Sequence, residues 1–128
     1  MHSLNKGRMG ELAVQKNLIQ QGYNIYVPVV DSKQVDLIVE LNNGSMKRVQ
    51  IKTVIELKRG TAVEVSLTKY KNTNRIDVVA VYYMPDDIIA YVPYENTHAL
   101  SLALKTSKNN QTKHRKWFYS YEHFPEFS

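Results

Sequence analysis

The sequence predicts an α/β layer fold, a mixed β-sheet core flanked by helices. Three features carry that expectation. An N-terminal segment repeats its apolar residues at helical spacing, a succession of short β-branched and aromatic runs follows, and a Leu/Ala-rich segment comes late. Helical segments around a run of strands must bury their apolar sides against one another, and a layered sheet is the way to do so.

The first helix is expected from about Gly7 to Gln21, with Met9, Leu12, Ala13, Leu18 and Ile19 at helical spacing and Gly22 as its stop. "YNIYVPVV" (23–30) reads as a strand, and Pro28 places it near an edge or ends it early. Residues 34–41 alternate, with Val35, Leu37, Val39 and Leu41 on one face. Val49, Ile51, Thr53 and Ile55 make a matching face beyond a turn. "TAVEVSL" (61–67) is a further strand. "RIDVVAVYY" (75–83) is the most apolar run and reads as a central strand with Asp77 at its start. "MPDD" turns the chain, so Pro85-Asp86 is a turn, and "IIAYVPY" (88–94) returns as a strand. "ENTHALSLALK" (95–105) is expected to be a short helix, followed by the basic "TSKNNQTKHRK" and the aromatic "WFYSYEHFPEF".

The chain has 128 residues, the size of a single domain, with 43% hydrophobic and 23% charged residues. No apolar run is long enough to span a membrane, and the first residues lack the apolar core of a signal peptide. The absence of Cys excludes disulfides and Cys-ligated zinc and suits a cytoplasmic location. His2, His98, His114 and His123 show no metal-ligand spacing. The net charge of +5, from 17 Lys+Arg against 12 Asp+Glu, makes a polyanion a plausible partner and excludes little else.

"VDLIVELNNGSMKRVQIKT" (35–53) is the segment that carries chemistry. Asp36, Gln50 and Lys52 stand inside two half-buried strands where apolar residues would be ordinary. Gln50 and Lys52 share a face because strand side chains alternate. A two-residue turn at Asn43-Gly44 would pair Asp36 with Ile51 and send Lys52 to the opposite face. A three-residue loop, Asn42-Asn43-Gly44, pairs position 41 with 45 and Asp36 with Gln50, so that Asp36, Gln50 and Lys52 converge. The three-residue register is the one expected here. One carboxylate with an amide oxygen suits a hard cation such as Mg²⁺, which keeps several waters, and a neighbouring ammonium suits phosphate chemistry.

Glu11 on the first helix, Asp36 in the second strand and Gln50-Ile51-Lys52 in the third resemble the PD-(D/E)XK nuclease superfamily. The phrases "GRMGELAV", "GYNIYVPV", "VDLIVE", "RVQIKT" and "IDVVAVYY" resemble its branch of cyanobacterial group I intron-encoded homing endonucleases and related small bacterial endonucleases. The resemblance spans about residues 7–94. It implies a single restriction-endonuclease-like domain over 1–128, with residues 95–128 supplying a helix, a basic loop and an aromatic segment for DNA contact or oligomerisation. It also implies that Asp36, the Ile51 backbone carbonyl, Glu11 and Gln50 hold Mg²⁺, or Mn²⁺ in its place, and that Lys52 serves the attacking water. Double-stranded DNA is the implied substrate, and cutting both strands calls for a homodimer or homotetramer. Lys69, Lys71, Arg75, Lys113, Arg115 and Lys116 are the candidate DNA contacts.

The sequence departs from that pattern in three places. Val35 stands where the family has Pro, Gln50 replaces the second acid, and the expected helix between the third and fourth strands is replaced by a segment read as strand and loop. A literal Glu-x-Lys also occurs at Glu56-Leu57-Lys58, at a strand end beside a turn, and reads as solvated charge. Homing is the first biological reading; junction resolution, repair and restriction are alternatives. A nuclease-like DNA-binding module that no longer cuts, with Gln50 as its mark, is the reading from a different class.

Overall fold

The computed structural model describes residues 3–31, 34–105 and 115–127. Helix α1 runs Ser3–Gln20. It is followed by β1 (Asn24–Tyr26), β2 (Leu37–Glu40), β3 (Met46–Val54), β4 (Ala62–Ser66), β5 (Val78–Tyr83), β6 (Ile88–Pro93) and β7 (Ala99–Ala103). Three 3₁₀ turns lie at Thr68–Tyr70, Met84–Asp86 and Phe118–Tyr121. Strands β1-β2-β3-β5-β6 form one five-stranded sheet, and β4 pairs with β7 in a separate two-stranded sheet.

The large sheet is mixed because β3 and β5 are parallel while the other neighbours are antiparallel. Parallel strands need a long crossover, ordinarily helical. Here residues 55–77 cross over with β4 and the Thr68–Tyr70 turn, so the strand-and-loop reading of this segment holds. Arg48 and Asp77 clasp β3 to the start of β5: the carboxylate accepts from the Arg48 backbone N–H at 2.7 Å, from Nε at 3.0 Å and from Nη2 at 3.2 Å. Asp77 is therefore a structural acid. Burial pushes its carboxyl up, but the Arg48 hydrogen bonds outweigh that and hold it below the ordinary value.

Alternation sorts the sheet into two cores. Leu37, Val39, Leu41, Val49, Ile51, Val78 and Ala80 face α1 and pack with Val14, Leu18, Tyr91 and Phe124. Val79, Val81, Tyr83, Ala90 and Val92 face the other way, against Val63, Val65, Leu67, Tyr70, Leu100, Leu102 and Phe118. Strand β5 is buried on both faces, as its uninterrupted apolar run requires.

One expectation fails. The helix expected at 95–105 is absent, and Ala99–Ala103 forms β7, paired antiparallel with β4 from Ala62↔Ala103 to Ser66↔Ala99. Leu100 and Leu102 are buried while Ala99 and Ser101 are exposed, which is a period of two. The helix propensity of Leu and Ala is a weak prior, and pairing with β4 overrides it. Strand β1 is also shorter than the run that predicted it, ending before Pro28 as proline dictates.

Candidate active site

The β2–β3 hairpin takes the odd-length loop. Leu37 pairs with Val49 and Glu40 with Met46, a register that sets Leu41 against Ser45 and ends one residue short of Asp36. Leu41 N–H donates to Ser45 O at 2.8 Å, and Gly44 N–H donates to Leu41 O at 2.9 Å. Gly44 sits at φ +87°, where a side chain would be strained, and Asn43 Oδ1 accepts from Ser45 N–H at 3.0 Å. Three small polar residues thereby set the facing of every residue behind them.

At the open end of the hairpin, main-chain pairing gives way to a side chain. Asp36 N–H still donates to Val49 O at 2.8 Å, but the next donor on β3, Ile51 N–H, goes to Asp36 Oδ2 at 2.7 Å. In an extended strand a residue's N–H and C=O point toward the same neighbour. The Ile51 carbonyl therefore projects beside the Asp36 carboxylate, just past the end of β2. Gln50 Nε2 donates to that carbonyl at 3.3 Å. Asp36 Oδ1 accepts from no described residue, and Gln50 Oε1 has no described donor.

Lys52 emerges on the same side of the sheet, away from α1. Its Nζ donates to the Tyr70 hydroxyl at 2.8 Å. Its charge also acts on Asp36. Burial raises the Asp36 carboxyl above its ordinary value; the Ile51 N–H and the Lys52 charge oppose that rise, and Asp31 adds to it. A half-buried carboxylate left short of positive charge, next to a projecting carbonyl and an amide oxygen, is a donor set that fits a hard divalent cation. Among the described residues no three His, Cys, Asp or Glu side chains gather into one metal site. A cation here would draw on one carboxylate, neutral oxygens and water.

Glu11 lies on the opposite layer. Its carboxylate pairs with Arg8 Nη1 at 3.1 Å, and no described contact joins it to Asp36, Gln50 or Lys52. Its neighbour Gly10 is where α1 touches β3: a Cβ there would overlap Thr53 Oγ1 and meet Ile51 Cγ2 at 3.7 Å. That crossing sets α1 against the Ile51 and Thr53 side chains of β3. Glu56-Leu57-Lys58 falls outside β3, with Glu56 and Lys58 exposed, and Met84–Asp86 is a 3₁₀ turn as Pro85-Asp86 implied.

The basic candidates divide into two groups. Lys69 and Lys71 flank Tyr70 on the crossover, and Arg75 follows, exposed; Gln34 Nε2 donates to Lys69 O at 3.3 Å. Arg115 lies 5.5 Å over the Trp117 ring, and Lys116 Nζ is 3.8 Å from Glu95. No described hydrogen bond or ion pair ties either of them to Asp36 or Lys52. Lys113 lies outside the described residues. Sequence reasoning missed Tyr70, Gln34 and Asp31. Each sits in a loop or single turn without periodicity; the only hint for Tyr70 was its place between two lysines.

Comparison with known proteins agrees with this architecture. No curated protein gives a significant sequence match. Among solved structures, a bacterial homing endonuclease, I-Ssp6803I, has the same fold: TM-score 0.68 at 17% identity, over 94% of this chain and 86% of that one. The sequence profile of PD-(D/E)XK endonucleases matches residues 1–124, nearly the whole length. That span takes in the helix, both sheets and the hairpin with its acid, amide and amine, and the chain belongs to the PD-(D/E)XK endonuclease family.

Proposed function

We propose that this protein is a Mg²⁺-dependent DNA endonuclease, with Mn²⁺ able to replace Mg²⁺, and that its biological task is site-specific homing. The observation that carries the reading lies at the open end of the hairpin, where Asp36 accepts from the Ile51 N–H, Gln50 donates to the Ile51 carbonyl and the Lys52 charge acts on Asp36. Asp36 and the Ile51 carbonyl would hold the cation, with Gln50 Oε1 as a neutral donor and Glu11 as support from α1. The bound cation supplies Lewis-acid polarisation of the phosphate and a water of lowered pKa. Lys52, with two N–H groups beyond the one given to Tyr70, donates to the oxygens on which charge develops as the phosphodiester breaks. The expected products carry a 5′-phosphate and a 3′-hydroxyl.

Each chain holds one such site, and a duplex has two strands, so a homodimer or homotetramer is the working form. Homing is favoured by the likeness to I-Ssp6803I together with the sequence phrases of that branch. A four-way junction offered beside linear duplex libraries separates homing from junction resolution.

The test is cleavage with Mg²⁺ or Mn²⁺ by the wild type, Asp36→Ala and Lys52→Ala. Each substitution is expected to lower the rate by at least about 10²-fold. Cutting that survives Asp36→Ala would sink the assignment. Gln50, a neutral side chain where the family has an acid, favours one other reading, a module that binds DNA without cutting. DNA binding by a wild type that cuts no substrate would select it.

A further inference from the structure

We propose that Tyr70 is a positioning residue for Lys52: its hydroxyl fixes where the Lys52 ammonium stands without neutralising it. The inference rests on the role given to Lys52 above. A lysine ammonium sits on a flexible four-carbon stem and takes up a defined place only if something holds it. The obvious holder here would be Asp36. An ion pair with that carboxylate would occupy the oxygen that no described donor reaches and spend the ammonium's charge on the protein itself. The structure does otherwise: among the described residues Lys52 forms no salt bridge, and Nζ donates to the Tyr70 hydroxyl at 2.8 Å. A neutral oxygen fixes direction and leaves the positive charge for a phosphate.

Tyr70 is built to be a fixed point. It is 5% exposed, and its ring belongs to the core formed with Leu67, Ile76 and Val79. Its backbone is tied on both sides, donating to Leu67 O at 3.0 Å and accepting from Thr73 Oγ1 at 2.7 Å. The same short turn carries Lys69 and Lys71, so the element that sets Lys52 is also one that would meet the DNA backbone. A buried tyrosine usually finds some partner for its hydroxyl, and a chance partner is the competing explanation. A core role and a positioning role differ in what removing one oxygen does.

Tyr70→Phe keeps the ring and deletes only that oxygen. Single-turnover cleavage with Mg²⁺ is expected to slow by about 10–100-fold, the effect of a misplaced catalytic group. DNA affinity without metal and the thermal midpoint should stay near those of the wild type. Independently of activity, acetylation of Lys52 by an amine-reactive ester, read by mass spectrometry on the intact chain, should quicken in Tyr70→Phe while Lys16 is unaffected. Equal cleavage rates with equal Lys52 labelling would overturn the role of Tyr70 alone. A wild type inert toward every DNA substrate would sink the nuclease reading instead.

Discussion

Asp36 holds its carboxyl in a place that does not favour charge. Burial raises its carboxyl above the ordinary range, and neither the Ile51 N–H nor Lys52 fully cancels that rise. A group that binds its proton more tightly when folded makes folding less favourable from the ordinary value upward, and the loss is complete once the pH exceeds the raised value. Stability is therefore lost as pH climbs through that range and regained as it falls. Asp36→Asn keeps an oxygen for the Ile51 N–H and removes the charge. Urea unfolding without metal should find it at least as stable as the wild type at pH 7, with the difference closing below about pH 4, near the ordinary Asp value. Mg²⁺ should reverse the order, because a cation that binds only the folded wild type stabilises it by mass action. A wild type that gains nothing from millimolar Mg²⁺ relative to Asp36→Asn would show that Asp36 holds no cation.

Elements meet where side chains are missing as well as where they are present. Gly10 lets α1 lie directly on β3, and a methyl there would run into Thr53 Oγ1. Alanine is favoured over glycine in a helix by about 1 kcal/mol. Overpacking costs about 1–3 kcal/mol, so Gly10→Ala should lower stability on balance and impair cleavage by shifting Glu11 and the Ile51 carbonyl. Adding Thr53→Ala removes the overlap and should restore the thermal midpoint; a lone Gly10→Ala that stabilises would show that α1 and β3 have slack. This crossing was illegible in the sequence, where Gly10 is one glycine in a helical run. The hairpin register was legible, because Gly44 and an odd loop leave one arrangement that keeps Leu37, Val39, Val49 and Ile51 together. Strand β7 was misread because its pairing partner, β4, lies far away in sequence and the helix propensity of Leu and Ala masks a short alternation. Tyr70 escaped for the same reason, being eighteen residues from Lys52 and on a single turn.

At the scale of the whole molecule, the two sides of the large sheet have different tasks. One is covered by α1, whose Val14 and Leu18 seal the core beneath it. The other packs against β4 and β7 and also carries Lys52 and Gln50, with Lys69, Lys71 and Arg75 on the crossover; under the proposed function it is the side on which a phosphate backbone would reach Asp36. The net charge of +5 gives a general attraction to DNA, but placement decides which charges release counterions on binding. For duplex DNA the slope of log K against log salt falls by about 0.9 for each phosphate that the protein no longer neutralises. Lys69→Ala and Lys71→Ala should each flatten that slope by about that amount and weaken binding across all sequences. Lys16→Ala, an exposed change on α1, should leave the slope intact while removing the same formal charge. Fluorescence anisotropy with a labelled duplex, titrated at several salt concentrations without divalent metal, measures all three. If Lys16→Ala flattens the slope as much as the crossover lysines do, DNA lies over the helix, and the site at the hairpin's end faces away from its substrate.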